Sequence, residues 1–296
     1  MKNLIVNIIF ELLILYNRIP YFGGKGLWRF RKFLKLNNEW LTPIVVRRIG
    51  FLWFIHSFLN NASMSLILDD PYDINVANAI KKYVREGDLV IDIGANIGYF
   101  TLILSRVVGA EGRVIGYEPS NFHSAILKRN LNLNKLANVE FYEIALGSKK
   151  ETTVLYTTES SGSTISDFSH IGMKTVAQNT VEVQSLDGHL NELSVTKRVT
   201  FIKLDVDGAE IEILKGAEKT ITRDMPIIVF EIAKPVFDLI DSSVFDILEF
   251  LEGFGYCFFN GLGHKMNAKK LASSIKQSSE LFFDIIAEPF ELKNCE

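Results

Sequence analysis

The stretch Val90-Ile91-Asp92-Ile93-Gly94-Ala95-Asn96-Ile97-Gly98-Tyr99-Phe100-Thr101 decides the fold, because it reads as a buried strand that runs through a glycine turn into a helix. Residues 89–93 form a short apolar run ending beside an acid, and Gly94 and Gly98 lack the β-carbons that would block a close backbone approach. Residues 99–108 show helical spacing with Asn96 as the expected cap, so the helix N-terminus points at whatever lies on the turn. The Gly-x-x-x-Gly spacing differs from the Gly-x-Gly-x-x-Gly of a dinucleotide pyrophosphate site, which disfavours an NAD-linked dehydrogenase. A different nucleotide-sized ligand is expected.

Working outward, residues 112–117 read as a second strand ending at Glu118-Pro119, about 25 residues beyond Asp92, where an acid can accept both hydroxyls of a ribose. Residues 122–133 are helical, and 138–142 form a third strand leading to Glu143 and Ala145-Leu146-Gly147. Three strand ends then line one crevice, since ligands of open α/β sheets lie beyond the carboxyl ends of the strands. Further on, residues 200–204 are apolar apart from Lys203 and end at Asp205, and residues 227–230 end at Glu231. A lysine inside a central strand needs a partner, and Asp92, Asp205 and Glu231 are the candidates. Residues 281–287 read as a last, antiparallel strand.

The chain resembles the FkbM-type S-adenosylmethionine-dependent methyltransferases. The segments that carry the resemblance are residues 90–98 (VIDIGANIG), Tyr117-Glu118-Pro119, Ala145-Leu146-Gly147, Gln184-Ser185-Leu186-Asp187 and residues 202–210 (IKLDVDGAE), in that order. The resemblance implies a class I methyltransferase (Rossmann-like) mixed sheet with helices on both faces. It also implies S-adenosylmethionine as cofactor and methylation of a hydroxyl on a saccharide, glycolipid or related biosynthetic intermediate. On that fold the strands ending at Asp205 and Glu231 are neighbours.

Asp92, Gly94, Ala95, Asn96 and Gly98 would then hold the amino-acid end of the cofactor, Glu118 the ribose, and Glu143 and Ala145 the rim of the adenine. An alcohol is a poor nucleophile until its proton is taken, so Asp205, with Glu231 and Lys203 beside it, is the expected catalytic group. Asp207 and Glu210 have the spacing of a capping box. Asp205, Asp207 and Glu231 can also present oxygens to Mg²⁺. With Asp207 read as a cap, the metal-free mechanism is preferred. His170 is the alternative base.

Two regions lie outside this scheme. Residues 1–60 hold nine basic and two acidic side chains, so they carry +7 within an overall charge of -3. Residues 4–16 and 51–59 read as apolar helices, and 26–36 interleave aromatics with Arg and Lys. A basic, helical extension over residues 1–62 ahead of a domain at 63–296 is expected either to pack on the sheet or to meet an anionic membrane surface. No nucleic-acid module is recognised. Residues 63–68 suggest a strand and 72–84 a helix. Residues 151–185 read as a β-rich flap near the crevice that helps select the acceptor. Cys257 and Cys295 are too few for a disulfide framework, which fits a cytoplasmic protein. A function of a different class, a non-catalytic assembly protein that keeps the fold at the membrane surface, is countered by the intact glycine turn.

Overall fold

A computed structural model describes residues 8, 27–37, 42–57, 60–68, 72–158, 163–164, 175–237, 243–260 and 263–290. Ahead of the central sheet stand α1 (Leu27–Leu36), a hairpin of β1 (Ile44–Arg48) and β2 (Phe51–Ile55), α2 (Asn61–Leu68) and α3 (Ile74–Tyr83). The chain then alternates through β3 (Leu89–Ile93), α4 (Tyr99–Val108), β4 (Arg113–Tyr117), α5 (Asn121–Asn134) and β5 (Val139–Tyr142). A small sheet follows, with β6 (Ala145–Leu146), β7 (Glu151–Thr158), β8 (Ser163–Thr164) and β9 (Thr175–Gln184) in the order β6-β9-β7-β8. The second half runs α6 (Leu186–Glu192), β10 (Val199–Leu204), α7 (Glu210–Lys215), α8 (Glu218–Asp224), β11 (Ile227–Ala233), α9 (Lys234–Phe237), α10 (Val244–Gly253), β12 (Tyr256–Asn260), β13 (Lys265–Met266), α11 (Ala268–Gln277) and β14 (Phe282–Pro289).

The main sheet has the order β13-β12-β14-β11-β10-β3-β4-β5. Strands β3, β4, β5, β10 and β11 are parallel, and β14 enters antiparallel between β11 and β12. This is the α/β class with helices on both faces that the sequence implies. After β5 the chain returns to lay β10 against β3. The strand order therefore reverses at β3, and the crevice for a ligand opens there.

All five residues of β3 are buried, the pattern of a parallel strand covered on both faces. Alternation divides its neighbours: Val90, Phe201 and Val229 pack with α4 and the hairpin, whereas Ile91, Ile202 and Phe230 pack with α7 and α10.

Two expectations ahead of the sheet are corrected. The helix expected over residues 51–59 is instead strand β2, paired with β1 from Ile44↔Ile55 to Arg48↔Phe51. The turn between them is Ile49-Gly50, both with positive φ (50° and 74°), which is what a two-residue hairpin turn needs. An unbroken apolar run such as Phe51–Ile55 does not distinguish helix from strand by period alone. Conversely, the strand expected over residues 63–68 is helix α2, started by Asn60, whose Oδ1 accepts from the Ser63 N–H at 2.9 Å. Because α2 is buried from Ala62 to Leu68, it lacks the polar face that marks a helix in sequence.

Candidate functional site

The turn after β3 is held from beneath. Asp92 is fully buried, and its Oδ2 accepts the Thr101 hydroxyl at 2.6 Å. Its other oxygen lies 3.4 Å from the Lys203 ammonium, so Asp92 supports the turn rather than facing the crevice. Gly94 has φ +75°, and a β-carbon there would lie 1.9 Å from the Asp205 carbonyl oxygen. The missing side chain thus lets the turn and the end of β10 meet. Gly98 likewise has φ +91° and abuts Leu127 of α5. Both glycines are required by packing within the protein.

The turn's N–H groups are satisfied internally. Gly94 and Ala95 donate to the Tyr117 carbonyl at 3.0 and 2.9 Å, and Gly98 donates to the Ala95 carbonyl at 2.8 Å. The Asn96 N–H donates to Glu118 Oε2 at 2.8 Å. Glu118 also accepts from the Ser120 N–H at 2.9 Å. Being buried at the end of β4, it is locked against the turn. A carboxylate offers about four acceptor positions, so two backbone bonds leave capacity for ribose hydroxyls. Beside it, His123 Nδ1 lies 3.8 Å from Glu118 Oε1 and is buried without a hydrogen-bond partner. This arrangement fits the sugar of S-adenosylmethionine. Asn96 does not cap α4, since its own φ is 50° and Gly98 takes the N-cap position. Its Oδ1 instead accepts from the Ile97 N–H at 2.8 Å.

Lys203 finds the partners its position demands. Its ammonium lies 3.4 Å from Asp92, 3.3 Å from Asp205 and 3.3 Å from the Gly94 carbonyl. Burial works against its charge, but the carboxylates of Asp205, Asp92 and Asp73 outweigh it and hold the lysine above its ordinary range. Glu231 is not an ion-pair partner of Lys203. Pairing of Leu204 with Phe230 and of Glu231 with Asp284 sets Asp205, Glu231 and Asp284 in a row across the ends of β10, β11 and β14. Burial and then the charge of Asp205 push Glu231 up to about 9. The same two causes push Asp207 to about 7.

Asp207 is not a helix cap. Its φ of 53° is left-handed, whereas a capping side chain needs an extended backbone, and Ala209 takes the N-cap position without a side-chain bond. The expected capping box does not form: Glu210, the first residue of α7, reaches back to the Gly208 N–H and not to that of Asp207, at 3.0 and 3.2 Å from its two oxygens. Among the described residues no three His, Cys, Asp or Glu side chains converge to hold a metal ion.

The structure does not bring every candidate to the crevice. Glu143 forms an ion pair with Lys128 and is partly exposed. Ala145 is buried in β6 with Leu155, Val181 and Val183, at the base of the small sheet. That sheet is the expected pair of flap strands, with β7 and β9 antiparallel from Glu151↔Val183 to Thr158↔Thr175. His170 lies outside the described residues.

Four residues escaped the sequence reading: Tyr72, Asp73, Asn75 and Asp284. Asp73 precedes α3 and hydrogen-bonds Asp284, and burial with the Asp284 charge pushes it up to about 8. Asn75 Nδ2 donates to Asp284 Oδ2 at 2.9 Å. Tyr72 packs on Tyr99 and Phe100, with ring centroids 5.1 and 5.9 Å apart. Asp284 carries the signal that singled out Lys203, a charge inside an apolar strand. Tyr72 and Asp73 carry none.

The segment 92–258 matches the family model described as the methyltransferase FkbM domain. The chain belongs to the FkbM methyltransferase family. Two curated proteins are similar to it. "Methyltransferase 1" of Beauveria bassiana (strain ARSEF 2860) is 28% identical over 149 residues, which cover 45% of this chain and 59% of that protein. "Methyltransferase sdnD" of Sordaria araneosa is 26% identical over 181 residues, 52% of this chain and 67% of that one. Among solved structures, the FkbM methyltransferase of Methylobacillus flagellatus KT aligns with TM-score 0.43 and 15% identity over 78% of this chain and 53% of its own.

Proposed function

We propose that this FkbM-family chain transfers the methyl group of S-adenosylmethionine to a hydroxyl of a saccharide, glycolipid or related biosynthetic intermediate. The observation that carries the reading is the placement of Asp205. It stands at the end of β10, 28% exposed, tied to Lys203 and, like Glu231 on β11, one step past the paired Leu204 and Phe230. Across the turn, Glu118 is fixed at the end of β4.

S-adenosylmethionine, when bound, supplies a methyl group on a sulfonium, and its transfer leaves S-adenosylhomocysteine. Glu118 accepts the ribose hydroxyls, while Asp92 and Lys203 keep the turn in shape. Asp205 takes the proton of the acceptor hydroxyl as the new oxygen–carbon bond forms. Alignment of the hydroxyl lowers the barrier by up to roughly 7 to 11 kcal/mol, and the carboxylate contributes about 10² to 10⁴-fold. Glu231, pushed up to about 9, is neutral near pH 7 and donates a hydrogen bond to the acceptor. Mg²⁺ has no step in this scheme. The saccharide class follows from the family resemblance, and the small sheet of β7 and β9 is the proposed flap that helps select it.

Calorimetric titration with S-adenosylmethionine, followed by assay of S-adenosylhomocysteine release with a panel of glycans, tests the reading. Binding and release are expected, and absence of binding would favour an assembly protein. The proposed location is cytoplasmic, with the basic extension against an anionic membrane surface. Among the described residues no helix is long and apolar enough to cross a membrane. On α1, Phe33 and Leu36 are exposed beside exposed Lys32 and Lys35. Removing residues 1–41 is expected to lower sedimentation with anionic liposomes and to leave cofactor binding intact. Equal sedimentation would refute the membrane reading.

A further inference from the structure

Residues 42–57 and 60–68 lie ahead of the segment that matches the family model, yet they are joined to the glycine turn by a chain of contacts. Two asparagines one helical turn apart on α5 face strand β2. Asn134 closes on the Leu52 peptide, accepting from its N–H at 2.8 Å and donating to its carbonyl at 2.7 Å, and donates to the Asn130 carbonyl of its own helix at 2.8 Å. Asn130, fully buried, spans two elements. Its Oδ1 accepts from the Phe54 N–H at 2.6 Å, and its Nδ2 donates to the carbonyl of Ile97 at 2.8 Å. Ile97 sits inside the turn, between Asn96 and Gly98.

Further contacts converge there. Asn60 Nδ2 donates to Asn96 Oδ1 at 3.1 Å. Trp53 of β2 stacks on Tyr99, the first residue of α4, at 5.9 Å. Asn96 itself holds a left-handed backbone that few non-glycine residues adopt, and such a conformation persists only where its surroundings over-determine it. The Asn96 peptide nitrogen is one of the two backbone donors that fix Glu118, the other being that of Ser120. A contact that holds the 96–98 peptides therefore also orients the carboxylate at the end of β4.

We propose that Asn130, assisted by Asn60, is a positioning residue for cofactor binding: it transmits the hold of the β1–β2 hairpin to the glycine turn and so presets Glu118 for the ribose. This rests on the cofactor reading above. Preorganisation of this kind improves affinity because the bound geometry need not be ordered on binding.

Asn134 supplies the internal control, since it shares the helix and the strand but not the turn. S-adenosylhomocysteine is titrated calorimetrically into the full chain and into N130A and N134A, with thermal unfolding followed in parallel. Both variants are expected to unfold at lower temperature, whereas only N130A loses affinity, by about tenfold or more. N134A is expected within about twofold of the parent. Equal affinities in the two variants overturn the assignment. Asn130→Asp decides the matter where N130A does not fold, because it keeps the acceptor for Phe54 and donates to Ile97 only when protonated. Its affinity relative to the parent at the same pH is expected to be low at pH 8 and to recover toward pH 5, and a gap independent of pH overturns the assignment. If the parent chain gives no binding heat, the cofactor reading itself fails and this assignment with it.

Discussion

Where β3 and β4 end, each N–H from Gly94 to Gly98 already has a partner, and Glu118 takes one of them. Where β10 and β11 end and β14 begins, Asp205, Glu231 and Asp284 stand in a row, joined by Asp73, with Lys203 on Asp92 and Asp205. The first edge is neutralised by backbone dipoles and preset. The second sets the Lys203–Asp205 ion pair beside acids that burial above all pushes up, Glu231 to about 9 and Asp73 to about 8. The proposed function assigns the holding of the cofactor to the first edge and removal of the acceptor proton to the second.

The sharpest way to break this comparison is to neutralise the charge of the second edge. Asp205→Asn is expected to lower turnover about 10² to 10⁴-fold while S-adenosylhomocysteine affinity stays within a few-fold. A parallel loss of affinity would show that the two edges are one binding site and not two functions. Next comes Lys203→Met. Its removal leaves Asp92 buried without a counter-charge, which destabilises by about 3–5 kcal/mol in comparable cases. Denaturant unfolding measures it, and a loss under about 1 kcal/mol would mean that Asp92 does not need the lysine.

On the preset edge the corresponding change is Glu118→Gln. Hydrogen bonds to a charged group are worth about 1.5–3 kcal/mol, so affinity for S-adenosylhomocysteine is expected to fall about 10- to 100-fold. Turnover at saturating cofactor should change far less than in Asp205→Asn. The reverse pattern would exchange the roles assigned to the two edges.

The edges also differ in how they respond to pH. Glu231, Asp73, Asp207 and Glu210 have native values raised to about 9, 8, 7 and 8, chiefly by burial. In the unfolded chain these groups titrate near about 4, so the native state binds more protons between that pH and about 9. Stability must then fall as pH rises through this window. Melting temperature is expected to decline steadily from pH 5 to pH 9, and Glu231→Gln should flatten the slope. A melting temperature that rises with pH would contradict the protonated state assigned to Glu231.

What the sequence made legible follows the same division. The preset edge rests on local pattern: an apolar strand, two glycines, and an acid at the end of the next strand. The residues at its heart could be named without coordinates. The charged edge depends on register between strands far apart in sequence. Lys203 stood out because a lysine in an apolar strand demands a partner. Its choice of Asp92 and Asp205 over Glu231 depended on which strand lies beside which. Asp73 reaches the row only because α3 packs against β11 and β14. Asp207 misled because Asp-Gly-Ala-Glu has capping-box spacing. The Asp-Gly pair, which favours a left-handed turn, was the better guide.

The smallest expected effect tests how far the preset edge extends. Glu143 follows β5, where the adenine rim was expected, but the structure pairs it with Lys128, both partly exposed. Ion pairs between exposed side chains are typically worth about 0–1 kcal/mol, because solvent screens the attraction and two long side chains must be ordered. If Glu143 serves only Lys128, Glu143→Ala costs less than about 1 kcal/mol in denaturant unfolding and leaves S-adenosylhomocysteine affinity within about twofold. A tenfold loss of affinity without a matching loss of stability would move Glu143 to the cofactor, and the gripping edge would then run past β4 to the end of β5.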